Sequence, residues 1–122
     1  PAINQVEFHP YHYQKELLQY CNSKNIIIEA YSPLVHAKRM DEPRLIAISD
    51  ELGKTPAQVL IRWAIQRGMV VLPKSVNQDR IVENFAVFDF DISNLLMKRL
   101  DDLDERYVTC WDPHNPPPYA PV

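Results

Sequence analysis

Three short apolar runs, each followed within two residues by a proline, limit what this chain can fold into more than any other feature. Residues 3–8 (INQVEF) alternate apolar and polar side chains as a strand does, and Pro10 ends the run. Ile26, Ile27 and Ile28 form a continuous β-branched run that extends through Ala30, Tyr31 and Ser32 to Pro33. Residues 69–72 (MVVL) stop at Pro73. Continuous runs of this kind suit parallel strands buried on both faces. Between them the apolar period changes to that of a helix. Leu17, Leu18 and Cys21 share a face within 14–24, and Leu45, Ile48 and Leu52 within 44–52, before Gly53. Ala57, Leu60, Ile61, Ala64 and Ile65 form a third stripe that Gly68 closes. This third helix has a strong start signal: Thr55 as N-cap, Pro56 in the first helical position and Gln58 completing a capping box. A short helix over 77–85 follows a loop, and Ser93 caps a last helix carrying Leu96, Leu100 and Leu103. Strands alternating with helices predict an α/β fold with a parallel sheet. Three strands cannot close a barrel, so they form a small open sheet or part of something larger.

Composition narrows the function. The 122 residues contain only 2 glycines, which leaves no room for a glycine-rich phosphate loop. A nucleotide bound here must be held by side chains. The 11 prolines crowd toward the end, where residues 105–122 read as an irregular tail after a folded unit over 1–104. A net charge of −3 argues against a nucleic-acid partner, and no apolar run reaches the length of a membrane span. Cys21 and Cys110 have neither metal nor redox spacing, so free thiols in a reducing cytoplasm are expected. The chain opens on Pro1 rather than Met, and a segment upstream is expected.

In parallel α/β folds ligands meet the C-terminal ends of the strands. The third strand runs into Lys74, Ser75 and Arg80, with Glu83 and Asn84 one turn later. Two cations and a hydroxyl beside a helix N-terminus suit a phosphate group. The competing reading makes Lys74 and Arg80 surface cations paired with Asp79 or Glu83. Tyr31 and Ser32, at the end of the second strand, offer a flat ring and a hydroxyl; a half-buried tyrosine under a loop is the plainer reading. Gln5 is polar within an apolar strand and can read an amide or satisfy backbone. His9, Tyr11 and His12 invite an acid–base or metal reading, but no further metal ligand is in view, and a loop histidine bonded to backbone is expected. Cys21 and Trp63 read as core. Glu7 and Glu29 are strand carboxylates expected to pair with cations.

Taken together, these motifs resemble the C-terminal part of the aldo-keto reductases. Residues 4–11 (NQVEFHPY) resemble that family's sixth-strand motif and residues 30–34 (AYSPL) its seventh. Residues 72–76 (LPKSV), with Arg80, Glu83 and Asn84, are similar to the eighth strand and its cofactor loop. Residues 53–63 (GKTPAQVLIRW) match the helix between them, and 87–90 (VFDF) also fit. The resemblance implies a partial (β/α)8 barrel: three C-terminal βα units, a terminal helix and a tail. It implies that NADP(H) is the cofactor and that hydride passes between it and the carbonyl of a small aldehyde or ketone. It assigns Gln5 to the nicotinamide carboxamide and Tyr31 to stacking on the nicotinamide. Ser32 and Leu34 would line the path of the pyrophosphate and ribose. Lys74, Ser75 and Arg80 would hold the 2′-phosphate, with Glu83 and Asn84 at the adenosine end. The family's catalytic aspartate, tyrosine, lysine and histidine come from the first half of the barrel, so no catalytic residue and no metal site is assigned here. The chain alone is expected to be inactive without the N-terminal barrel segment. A non-catalytic NADP-binding relative, or a truncated form without activity of its own, is the alternative.

Overall fold

The computed structural model describes residues 1–113. Its elements run β1 (Ile3–Glu7), α1 (Lys15–Ser23), β2 (Ile27–Tyr31), a 3-10 turn (Val35–Ala37), α2 (Pro43–Leu52), α3 (Pro56–Gln66), β3 (Val70–Leu72), α4 (Gln78–Phe85) and α5 (Asn94–Asp101). The strands form one parallel sheet in the order β1-β2-β3. Each pair is separated by helix, as parallel neighbours require.

The start signals in the sequence act as expected. Thr55 accepts a hydrogen bond from the Gln58 N–H, and the Gln58 side chain accepts one from the Thr55 N–H, so both halves of the capping box are present. Gly53 closes α2 at φ 61, a left-handed position that favours glycine. Several bounds shift by a residue, and two differences from expectation stand out. The second helix starts one residue early because Glu42 caps it through the Leu45 N–H and Pro43 takes its first position. The expected loop over 34–41 contains a single turn, in which Val35, His36 and Ala37 all have positive φ.

Register fixes what each sheet face does. Ile28 and Ala30 are almost fully buried and belong, with Leu18, Leu45, Ile48, Val59, Leu60 and Trp63, to one core cluster. Trp63 anchors this side: its indole N–H donates to Asp101 at 2.8 Å, and its ring meets Tyr13 edge-on at 5.3 Å. The opposite face carries Ile3, Gln5, Ile27, Glu29, Val70 and Leu72 in register. Its apolar members are open: Ile3 is 51% exposed, Ile27 48%, Val70 45% and Leu72 40%. Burial of the second and third strands on both faces was expected; the structure buries one, because no described element lies against the other.

Residues 104–110 contain no helix or strand, yet they are tied across the C-terminal ends of β1 and β2. The Glu105 and Tyr107 N–H groups donate to the Tyr11 carbonyl. The Tyr13 N–H donates to Asp104 at 3.2 Å, and Arg39 pairs with Glu105 and stacks over Tyr107 at 4.3 Å. Trp111 is 59% exposed and does not fill the open sheet face, while Tyr119 lies outside the described residues.

Candidate functional site

Beyond the C-terminal end of β3 the chain turns sharply into α4. Ser75 holds the turn by accepting from the Asn77 N–H at 3.1 Å and donating to the Asn77 carbonyl at 3.2 Å. Asn77 then caps α4 through the Arg80 N–H. This geometry places Lys74, Ser75 and Arg80 around the start of the helix. Together with Glu83, Asn84, Thr55 and the loop residues Leu34 and His36, they line one cavity of about 690 Å³.

The two sequence readings of the cluster differ in what Lys74 and Arg80 pair with. Neither Lys74 nor Arg80 makes an ion pair among the described residues, so pairing with Asp79 or Glu83 is not seen. Glu83 is engaged elsewhere, accepting from the Thr55 hydroxyl, and Gln58 clasps the Glu83 and Ala86 carbonyls. That network ties α3 to α4 and leaves both cations facing solvent. Both cations stand beside the N-terminus of α4, a kind of setting in which anions are generally favoured.

The remaining expected site residues lie apart from this cavity. Gln5 and Tyr31 stand on the open sheet face, and the Gln5 amide donates to Glu29 across the strand pair. Burial, with Cys110 and Glu7 nearby, raises the Tyr31 pKa above its usual value, so the ring is neutral near pH 7. Ser32 sits at the end of β2 with φ 50, its hydroxyl 3.0 Å from His36 Nε2 and 3.3 Å from Cys110 Sγ. His9 and Tyr11 are buried core residues. His9 Nε2 meets Glu7 at 3.0 Å, so its partner is a carboxylate rather than the expected backbone, and the group that Glu7 faces is an imidazole rather than a lysine or arginine. Glu29 takes the Gln5 amide instead of a cation. No cluster of three metal-ligating side chains occurs among the described residues.

Two features of this region are absent from the sequence reading. One is Glu7 as an anchor. Burial alone would raise its pKa, but hydrogen bonds from His9, the Thr109 hydroxyl and N–H, and the Cys110 N–H outweigh that and hold it at about 2. The other is His36, four residues from Ser32; the separation of Cys110 in sequence hid its contact with both.

The sequence matches the family model for the Aldo/keto reductase family over residues 1–105.

The chain belongs to the aldo-keto reductase family.

An uncharacterized oxidoreductase of Schizosaccharomyces pombe is 46% identical, over 93% of this chain and 41% of its own length. Glyoxal reductase of Bacillus subtilis is 45% identical, over 87% of this chain and 39% of its own. Among solved structures, a Gox0644 mutant in complex with NADPH superposes with a TM-score of 0.83 at 37% identity, over 87% of this chain and 39% of that one. MGS-M4, an aldo-keto reductase from a deep-sea metagenome library, gives 0.85 at 37% identity, over 88% and 41%. The chain therefore spans about 40% of the length of such relatives. Its three parallel strands and five helices are part of the family's (β/α)8 barrel.

Proposed function

We propose that this chain supplies the NADP(H)-binding part of an oxidoreductase acting on the carbonyl of small aldehydes or ketones. The observation that carries this reading is the cavity at the β3–α4 junction, where Lys74 and Arg80 stand without ion pairs beside Ser75 and the start of α4. A 2′-phosphate meets all of these demands, whereas NAD(H) would leave both cations uncompensated. Leu34, Glu83 and Asn84 line the same cavity, and Glu83 and Asn84 are assigned to the adenosine end. Gln5, Tyr31 and Ser32 are assigned to the nicotinamide and pyrophosphate. When bound, the cofactor supplies or accepts the hydride; the residues of this chain bind and orient it. A small carbonyl compound is the proposed substrate, and the cytoplasm the proposed location. No helix among the described residues is long and apolar enough to cross a membrane.

Arg80→Ala tests the assignment in the natural protein that contains this chain. Each lost charge-assisted hydrogen bond is worth about 1.5–3 kcal/mol, so the dissociation constant for NADPH should rise at least tenfold. NADH binding should change little. Fluorescence titration with both cofactors reads the difference, and equal losses would remove the 2′-phosphate assignment.

A further inference from the structure

Thr55 uses one hydroxyl twice. As N-cap of α3 it accepts from the Gln58 N–H at 3.3 Å, and it also donates to the Glu83 carboxylate on α4. Thr55, Glu83, Lys74 and Arg80 all line the cavity at the β3–α4 junction. Gln58, almost buried, fastens the two helices by other means. Its amide donates to the Glu83 carbonyl at 3.2 Å and to the Ala86 carbonyl at 3.3 Å, and its Oε1 accepts from the Thr55 backbone N–H at 3.1 Å. None of these three bonds needs the Thr55 side chain. Gln58 therefore holds the backbone of α4, and what the Thr55 hydroxyl adds there is the placement of one carboxylate.

That placement bears on the residue one turn earlier. Arg80 precedes Glu83 by three positions on α4, a spacing at which side chains of opposite charge meet on a helix surface. Arg80 nevertheless makes no ion pair among the described residues, and neither does Glu83. The carboxylate has turned toward α3 instead, where a charge-assisted bond from a hydroxyl occupies it.

We propose that Thr55 is a positioning residue for cofactor selectivity: its hydroxyl holds the Glu83 carboxylate toward α3 and so keeps the Arg80 guanidinium open to a phosphate. This role rests on the NADP(H) reading above. Released from Thr55, Glu83 becomes an internal anion tethered one turn from Arg80, and it competes with the 2′-phosphate for the same guanidinium. NADH brings no phosphate to that place, so the competition does not touch it. Loss of the hydroxyl therefore lowers the preference for NADPH over NADH rather than dinucleotide binding in general.

The measurement is the ratio of the NADH and NADPH dissociation constants, read by fluorescence titration at physiological ionic strength in the natural protein that contains this chain. Thr55→Val keeps the shape of the side chain and the bonds of Gln58 but removes the donor. The ratio should fall about two- to fivefold, the weight of one exposed ion pair set against the phosphate. Thr55→Ser keeps the hydroxyl and should hold the wild-type ratio. Thr55→Val combined with Glu83→Gln should recover it, because a neutral amide does not compete for Arg80. A helix cap with no further role would behave differently: Thr55→Val would weaken both cofactors alike, and Glu83→Gln would rescue nothing. Either an unchanged ratio in Thr55→Val or no recovery in the double variant overturns the proposal. Glu83→Gln alone leaves the cap of α3 intact and gives a second reading. Both cofactors should lose affinity together, with their ratio within about twofold of wild type, since exposed charges a Debye length apart are largely screened. A ratio that rises several-fold would mean that Glu83 already competes for Arg80 in the wild type, which also overturns the role of Thr55. A wild-type protein without any preference for NADPH would remove the 2′-phosphate reading and this role with it, whereas a clear preference that Thr55→Val leaves untouched removes Thr55 alone.

Discussion

Ile27 and Ile28 are adjacent on β2, yet one is 48% exposed and the other 1%. The residues are chemically identical, so the difference lies in the two faces of the sheet. The face of Ile28 is covered by the chain's own helices, which contribute Leu18, Leu60 and Trp63 to one core. The face of Ile27 has no such cover among the described residues, and it is the one that carries Gln5 and Tyr31. In a (β/α)8 barrel the helix side of a strand is completed locally, whereas the interior side is packed by residues from all around the ring. A run of three barrel units can therefore complete its outer layer by itself but not its inner one. The proposed cofactor site is divided in the same way. Its phosphate end sits in a formed cavity at the β3–α4 turn, while Gln5 and Tyr31 wait on the open face.

The strongest way to break this comparison is to express residues 1–122 alone. The open face and the two free sheet edges should drive self-association, giving dye-binding aggregates or a broad melt rather than a sharp monomeric transition. Co-expression with the five-unit N-terminal segment of a related reductase should restore a soluble species. A cooperative melt and dispersed amide NMR signals from a monomer would show that the inner face needs no partner. The next effect separates the faces by substitution. At concentrations where residues 1–122 are monomeric, Ile28→Ala should cost about 2–5 kcal/mol in urea unfolding, as truncations in packed cores do. Ile27→Ala should stay within about 0.5 kcal/mol, because it removes a side chain already half in water. Equal losses would mean that the two faces are not different environments.

How much of this was legible in the sequence follows from the range of each interaction. Helix starts are local, so Thr55, Pro56 and Gln58 announced α3 within four residues. The run Lys74, Ser75 and Arg80 was legible for the same reason, since one strand-to-helix turn gathers all three. The open face was not legible, because a continuous β-branched run looks the same whether or not something covers both sides. The strap was equally hidden. Glu7 and Thr109 are 102 residues apart and meet only once α5 has brought the chain back over β1. Read alone, Glu7 suggested a cation partner; in the structure it binds one imidazole, one hydroxyl and two backbone N–H groups.

Glu7 also sharpens the comparison, because it shares the register of the open face yet is only 4% exposed. The strap has closed the face at that point. Its carboxyl lies near 2, against an ordinary value of 4.5. A depressed folded-state pKa adds stability that is complete above the unfolded value and is lost as pH falls through the folded one. Stability should therefore decline between about pH 4.5 and 2 as Glu7 gains its proton. Glu7→Gln should remove this component of the acid sensitivity and cost about 1–3 kcal/mol at neutral pH, because donors of the strap lose their charged acceptor. Urea midpoints of both proteins across that pH range give the answer. Parallel pH profiles would show that Glu7 is not the group that titrates.

The smallest effect on stability is expected at Gln5, and it sharpens the comparison most finely. Its amide faces Glu29 on the open side of β1, where the hydrogen bond competes with water. Gln5→Ala should therefore shift stability by less than about 0.5 kcal/mol. Binding should respond differently. If Gln5 reads the nicotinamide carboxamide, the natural protein that contains this chain should lose affinity for NADPH and NADH alike, by roughly three- to tenfold for one neutral hydrogen bond. This pattern is the opposite of the one expected for Arg80→Ala, which should discriminate between the two cofactors, so the pair of variants assigns the two ends of the site separately. A large stability loss in Gln5→Ala would mean that the Gln5–Glu29 bond supports the sheet. Unchanged affinity for both cofactors would take Gln5 out of the binding site and leave the open face to packing alone.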